Sequence, residues 1–253
     1  MTLASDTTLD DFLGGRLTLE QPSTGYRAGV DPVLLAAAVP ATAGQSVLEL
    51  GCGTGAAMLC LAARVPGLTL TGVEVQDRYA DLCRANAARN EIAADIHTAD
   101  LRAMPTEIRG QSFDHVIMNP PYFDPATGNP SAARDKDTAF RGDTDLRDWV
   151  DQAARRLRHK GHLTLIQKAH RLADVLAAMD DRMGSIVVTP IAGRTRYDAD
   201  RVLVRARKGG RAAFRLTAPV VLHTGSAHTK DREDYRPEIA AILRNGAAFP
   251  NIG

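Results

Sequence analysis

Residues 46–64 read SVLELGCGTGAAMLCLAAR. An apolar run of five residues ends in glycines at alternate positions, Gly51, Gly53 and Gly55, and passes into a helix-forming stretch from Ala56 to Arg64. A short apolar run bounded by turn residues predicts a buried strand. The glycines let the backbone turn sharply and approach a ligand without interference from Cβ. Open α/β sheets bind ligands at such strand–loop–helix junctions, outside the carboxyl ends of their strands. The dinucleotide fingerprint wants its third glycine one position later, so that a pyrophosphate meets the helix N-terminus. Glu49, beside the loop, can accept hydrogen bonds from a ligand or from the loop itself. A carboxylate there suits a cation better than a pyrophosphate.

Outward from this junction the same alternation repeats. Strands are predicted over 68–74, 94–100, 113–119 and 162–167, and helices over 77–90, 146–157 and 171–179, with Asp77 as an N-cap. Upstream, residues 9–31 (LDDFLGGRLTLEQPSTGYRAGVD) mix apolar residues with turn signals and predict short strands or a loop. Asp31-Pro32 then opens a helix, a cap followed by proline at the first helical position. At the other end, 185–191 is a strand and 200–222 a hairpin, with Gly209-Gly210 as its two-residue turn. Strand–helix alternation predicts a doubly wound, mostly parallel sheet, Rossmann-like, with a C-terminal antiparallel hairpin. One α/β domain over residues 1–253 is expected, with 1–45 as an N-terminal extension and 46–253 as the core.

Two more acids fall at strand ends: Glu74, able to bond ribose hydroxyls, and Asp100, able to accept from an adenine amino group. Each alone could cap a helix or face water. At three successive strand ends, with Glu49, they favour a nucleoside-type cofactor.

Asn119-Pro120-Pro121-Tyr122 follows the strand 113–118 directly. It can be a rigid turn leaving the sheet. Its chemistry suggests more. An aromatic amino nitrogen is a poor nucleophile because its lone pair is delocalised into the ring. If the Asn119 side-chain oxygen and the Pro120 carbonyl accept its N–H bonds, the lone pair can turn toward a methyl donor. Proline fixes φ and presents that carbonyl rigidly. Tyr122 can stack on a flipped-out base.

The combination LELGCGTG, VE, AD and FDHVIMNPPY resembles the amino-directed, NPPY-type class I S-adenosylmethionine-dependent methyltransferases. Most of the chain is similar to bacterial adenine-N6 methyltransferases that act on a valine tRNA beside its anticodon. The stretches that carry this include residues 9–39, RVLVRARKGGRA, VVLHTG and EIAAILRNG. The resemblance implies a cytoplasmic RNA-modifying enzyme that uses S-adenosylmethionine and makes N6-methyladenosine, with tRNA as partner. It implies cofactor contacts from Gly51, Gly53, Gly55, Glu74, Asp100 and Asn119, with Arg27 and Asp31 near that site. It places Asn119, Pro120, Pro121 and Tyr122 at the reacting amine. The loop from Phe123 to Asp145 is expected to border the substrate; AFRGDTDLRDW, residues 139–149, stands where relatives often carry an Arg-His-Glu-like stretch.

Rival acceptors are protein glutamine, whose amide is equally planar, and DNA amino groups. Glutamine enzymes usually carry an N-terminal helical domain, and only 45 residues precede the core here. A non-catalytic nucleic-acid-binding subunit on the same scaffold would need neither the glycine loop nor the tetrapeptide.

Net charge is +1, yet residues 194–215 hold eight Lys/Arg against two Asp/Glu, leaving −5 for the remainder. Such asymmetry fits a polyanionic partner or a charge-defended sheet edge. As a strand, 201–208 sets Arg201, Leu203, Arg205 and Arg207 on one face and Val202, Val204 and Ala206 on the other. Arg201, Arg205, Arg207, Lys208 and Arg211 are thus candidate RNA contacts. Cys52, Cys60 and Cys83 lack ligand spacing and read as reduced thiols. No metal is expected: His159 and His162 look like surface residues of a turn, and His223 and His228 lack partners at ligand spacing. Trp149 reads as core. The acidic N-terminus is unlike a signal peptide, and the longest apolar stretch, Val33–Val39, cannot span a bilayer.

Overall fold

The computed structural model describes residues 6–122, 144–225 and 234–249; all but the last two positions of the 123–145 loop lie outside these, as does His228. The chain begins with an antiparallel pair, β1 (Thr7–Phe12) and β2 (Leu17–Pro22), in register from Thr7↔Pro22 to Phe12↔Leu17. Helix α1 (Val30–Ala38) leads into β3 (Ser46–Leu50), α2 (Ala56–Arg64), β4 (Thr69–Glu74), α3 (Asp77–Arg89) and β5 (Asp95–Thr98). Then come the short α4 (Thr106–Arg109), β6 (Phe113–Met118), α5 (Leu146–Arg156), β7 (Leu157–Lys168) and α6 (Leu172–Ala178). The chain continues through β8 (Met183–Ala192), β9 (Ala199–Lys208), β10 (Arg215–Leu216), β11 (Val220–Val221) and α7 (Pro237–Asn245).

The large sheet has the order β10-β8-β9-β7-β6-β3-β4-β5, with β11 also on β8. Its ladders from β7 through β5 are parallel, and β9 runs antiparallel between β7 and β8. Apolar residues alternate across it. Val47, Ile117, Ile166 and Leu203 face a core shared with α1, α2, α3 and α7, while Leu48, Val116, Leu165, Val202 and Val204 face α5 and α6. Near-continuous apolar strands follow from burial of both faces.

Four local expectations change. The antiparallel hairpin is β8–β9, joined through residues 193–198, and not a turn at Gly209-Gly210. After β9 the chain crosses the start of β8 and pairs parallel to it as β10. The glycines serve that crossing: a Cβ on Gly184 would meet the Gly210 carbonyl oxygen at 2.2 Å. Strand β9 is therefore interior, and its arginines do not defend an edge. Asp31 and Asp77 are not caps; Gly29 and Gln76 hold those positions, and both acids sit in first turns, where the helix dipole favours them. His162 is half-buried in β7, its ring 5.7 Å from that of His115.

Among the described residues no helix is long and apolar enough to cross a membrane, and no group of three or more His, Cys, Asp or Glu is placed to hold a metal. Replacing Gly184 with Ala should force β8 and the crossing chain apart. A loss of about 1–3 kcal/mol in urea unfolding is expected, and an unchanged midpoint would show that the crossing yields freely.

Candidate functional site

The carboxyl ends of β3, β4 and β6 open on a cavity of about 520 Å³. Its walls come from the glycine loop, Glu49, Glu74, Asp100 and the Asn119–Tyr122 tetrapeptide, closed by Tyr26, Arg102 and Trp149. Gly51 has φ +64°, and a Cβ there would strike the Trp149 ring at 2.5 Å. Only glycine fits both the conformation and the contact.

The acids do two jobs each. Glu49 is 3% exposed, and its Oε2 accepts from the Met58 amide at 2.9 Å, in the first turn of α2. Glu74 Oε2 accepts from Gly53 N at 2.9 Å and Oε1 from Gln76 N at 3.0 Å. The loop is thus held by carboxylates through donors that a pyrophosphate would otherwise use. Burial, together with Cys83 and Glu74 nearby, pushes the Glu49 carboxyl well above its usual range. Asp100 lies just past β5 as the cap of a short turn, where the Arg102 guanidinium and amide hold its carboxyl below the usual range. A cleft with three carboxyl groups and one guanidinium suits a ligand with cationic groups and hydroxyls.

Asn119 Nδ2 faces the Tyr26 hydroxyl at 3.4 Å, while its Oδ1 is buried and meets no donor among the described residues. The Gln167 side chain, fully buried in β7, donates weakly to the Pro120 and Pro121 carbonyls at 3.4 and 3.5 Å. The Tyr122 hydroxyl donates to Asp31 Oδ2 at 2.5 Å, and Asp31 Oδ1 pairs with Arg201 Nε at 2.5 Å. Burial, and then the Asp31 charge, push the Tyr122 phenol far above its usual range, so it remains a donor. Lys168 Nζ lies 5.2 Å from the Tyr122 ring centroid, over one face.

Tertiary structure therefore joins Gly51, Gly53, Glu49, Glu74, Asp100 and the tetrapeptide at one cavity, with Asp31 and Arg201 directly behind Tyr122. Gly55 stands at the start of α2, next to that loop. Arg27 is elsewhere: Thr8, the Pro22 carbonyl and Asp10 hold its guanidinium against the β1–β2 pair. Its neighbour Tyr26 lines the cavity instead. Arg205, Arg207, Lys208 and Arg211 are also away from the cleft, toward and beyond the far end of β9. Arg207 and Lys208 bond the Lys160 and Leu157 carbonyls there. Sequence reading missed Tyr26, Arg102, Gln167 and Asn86. The buried Asn86 amide donates to the Glu20 and Thr54 carbonyls, tying β2 to the glycine loop. No local pattern marks it, since its partners lie 66 and 32 residues away.

A doubly wound sheet with an acidic, glycine-lipped cavity beside an Asn-Pro-Pro-Tyr strand end defines a class I S-adenosylmethionine-dependent methyltransferase. Residues 28–195 match the methyltransferase small domain family, and the chain belongs to it. A Porphyromonas gingivalis protein named tRNA1(Val) (adenine(37)-N6)-methyltransferase is 30% identical, over 92% of this chain and 93% of its own. One of the same name from Dickeya chrysanthemi is 28% identical over 87% of each. A solved Agrobacterium tumefaciens protein, described as a predicted O-methyltransferase, superposes with a TM-score of 0.70 at 28% identity, covering 88% of this chain and 100% of that one. The Thermus thermophilus 16S rRNA N2 G1207 methyltransferase, solved with AdoMet and guanosine, shares the fold at a TM-score of 0.57 and 21% identity, over 80% of this chain and 50% of that one.

A pH test isolates Glu49. Its folded pKa lies above the ordinary 4.5, so the native state holds more protons than the unfolded chain between that value and the raised one. Stability then falls as pH rises through this window. Glu49→Gln keeps an oxygen for Met58 N–H and removes the titration, so cofactor-free variant and parent should diverge in stability above about pH 5. Parallel profiles in urea titrations from pH 5 to 8 would remove Glu49 from the pH response.

Proposed function

We propose that this protein methylates the N6 amino group of an adenine in tRNA. The observation that carries the proposal is the buried Oδ1 of Asn119, without a partner among the described residues, beside the Pro120 carbonyl. A buried acceptor without a donor is costly, and a planar amine with two N–H bonds would give Asn119 Oδ1 its donor and add a second to the Pro120 carbonyl, which Gln167 meets only weakly. The names of the relatives make adenine in valine tRNA the first acceptor to try.

When bound, S-adenosylmethionine supplies a methyl carbon made electrophilic by its sulfonium. The chain's residues mainly position and polarise. Glu74 would receive ribose hydroxyls on lone pairs that Gly53 and Gln76 leave free, and Asp100 an adenine amino group. Asn119 Oδ1 and the Pro120 carbonyl accept the N–H bonds of the target amine, drawing its lone pair out of conjugation and toward the methyl carbon. The cofactor would supply the methyl group and keep the sulfur electron pair, and the amine proton would go to water, so none of these residues has to act as a strong base. Tyr122, held by Asp31 at its hydroxyl and covered by Lys168 on one face, offers its other face to the flipped base.

Asn119→Ala should bind S-adenosylmethionine within about twofold of the parent while kcat for methylation falls about 10²–10³-fold, the range for loss of one preorganised polar group. Equal losses in cofactor affinity and turnover would make Asn119 a cofactor ligand rather than an acceptor for the amine. The substrate is tested by labelled methyl transfer to an unmodified valine-tRNA transcript, followed by nucleoside analysis. N6-methyladenosine is expected. Label recovered in protein glutamine but not in RNA would move the same site to an amide substrate.

A further inference from the structure

The basic segment 194–215 suggests a single RNA-binding stripe, but the fold sends its two halves to opposite ends of the sheet. Strand β9 is antiparallel to β7, with Arg201 opposite Lys168 and Arg207 opposite His162. From Arg201 to Lys208 is seven steps along the strand, about 23 Å. The start of β9, the end of β8 and their 193–198 connection thus stand at the cleft end, level with the tetrapeptide. Arg205 to Arg211 run to the other.

At the cleft end, Arg196 is exposed, Tyr197 is 63% exposed, and neither side chain has a hydrogen-bond or ion-pair partner among the described residues. Their neighbours are held. The Arg194 guanidinium pairs with Asp234 and donates to the Thr224 carbonyl, and Arg236 donates to Thr195 Oγ1 at 3.3 Å. A braced turn thus presents to solvent the Arg196 cation, unpaired among the described residues, and the Tyr197 ring, with the Asp198 carboxyl following them. Three strand ladders separate β6 from β8, about 14 Å, which is the rise of about four stacked nucleotides. Lys168, over Tyr122, stands on the path between them.

We propose that the 193–198 turn, through Arg196 and Tyr197, together with Lys168, is the track that holds the single-stranded nucleotides flanking the base in the cleft. This rests on the RNA reading given above and assigns its docking surface. Arg196 meets a phosphate and Tyr197 stacks on a neighbouring base, the pairing of charge and ring that single-stranded nucleic acid requires. Arg207 and Arg211 lie outside the track.

The test is anisotropy titration of a fluorescent, unmodified valine-tRNA transcript against the whole protein at several salt concentrations, with S-adenosylmethionine binding measured in parallel. The Arg196→Ala/Tyr197→Ala variant should bind the transcript at least about tenfold more weakly, from loss of one stacked base. Its log–log salt slope should be shallower by about 0.7, the value for one phosphate contact on a single strand. Cofactor affinity should be unchanged. An Arg207→Ala/Arg211→Ala control should stay within about twofold of the parent, as residues outside the contact do. Full binding by the turn variant, or a larger loss in the control, overturns the track and leaves the RNA reading standing. A parent that binds cofactor but neither binds nor methylates the transcript overturns both.

Discussion

Two buried carboxylates hold the turn from β3 into α2, and the cavity depends on that turn. The first amides of a helix have no partner within it, and buried donors must be met. Here Glu49 meets Met58 N–H, and Glu74 meets Gly53 N–H from the end of the next strand. Satisfying these donors with acids leaves the mouth of the helix unsuited to phosphate and gives the cavity a negative field. Desolvation opposes the charge on Glu49, so the arrangement is most at ease when a cationic ligand is present. Asn86 and Trp149 then brace the loop from either side, one through the Thr54 carbonyl and the other against Gly51.

The tetrapeptide side of the cleft is built differently, from residues distant in the chain. Tyr122 is oriented by Asp31 from α1, Asp31 is neutralised by Arg201 from β9, and Lys168 from β7 covers the ring. Gln167, next to Lys168, reaches the two proline carbonyls. The tetrapeptide is rigid in itself because proline fixes φ. The surrounding network adds rigidity to its tyrosine, whose ring has freedom that no proline removes.

Much of this was legible in the chain. The 46–64 junction appears with the strand and helix bounds expected of it, because a buried apolar run, glycines and a helix-forming stretch are each local signals. The β3, β4 and β6 ends carry Glu49, Glu74 and Asn119 to one cavity for the same reason: strands that alternate with helices must run parallel, and their carboxyl ends must meet. Helix α7 went unread, although Pro237 at its first turn and Gly246 at φ +65° after its end are local signals for it. The Gly-Gly signal at 209–210 was correctly seen and wrongly explained. Glycine serves a two-residue turn and a close chain crossing equally well, and only Gly184, 26 residues earlier, decides between them.

The class of fold, the glycine-lipped cavity and the tetrapeptide can be read from the chain alone, because each is written in contiguous residues whose physical requirements are local. What stands around them came only with the folded arrangement. It placed Tyr26 in the cavity and Arg27 outside it, turned Asp31 from a cap into the anchor of Tyr122, and parted Arg196 from Arg207. Those outcomes depend on strand order and direction. Periodicity shows which face a residue takes, but not which neighbours will lie beside its strand or which end of the sheet it will reach.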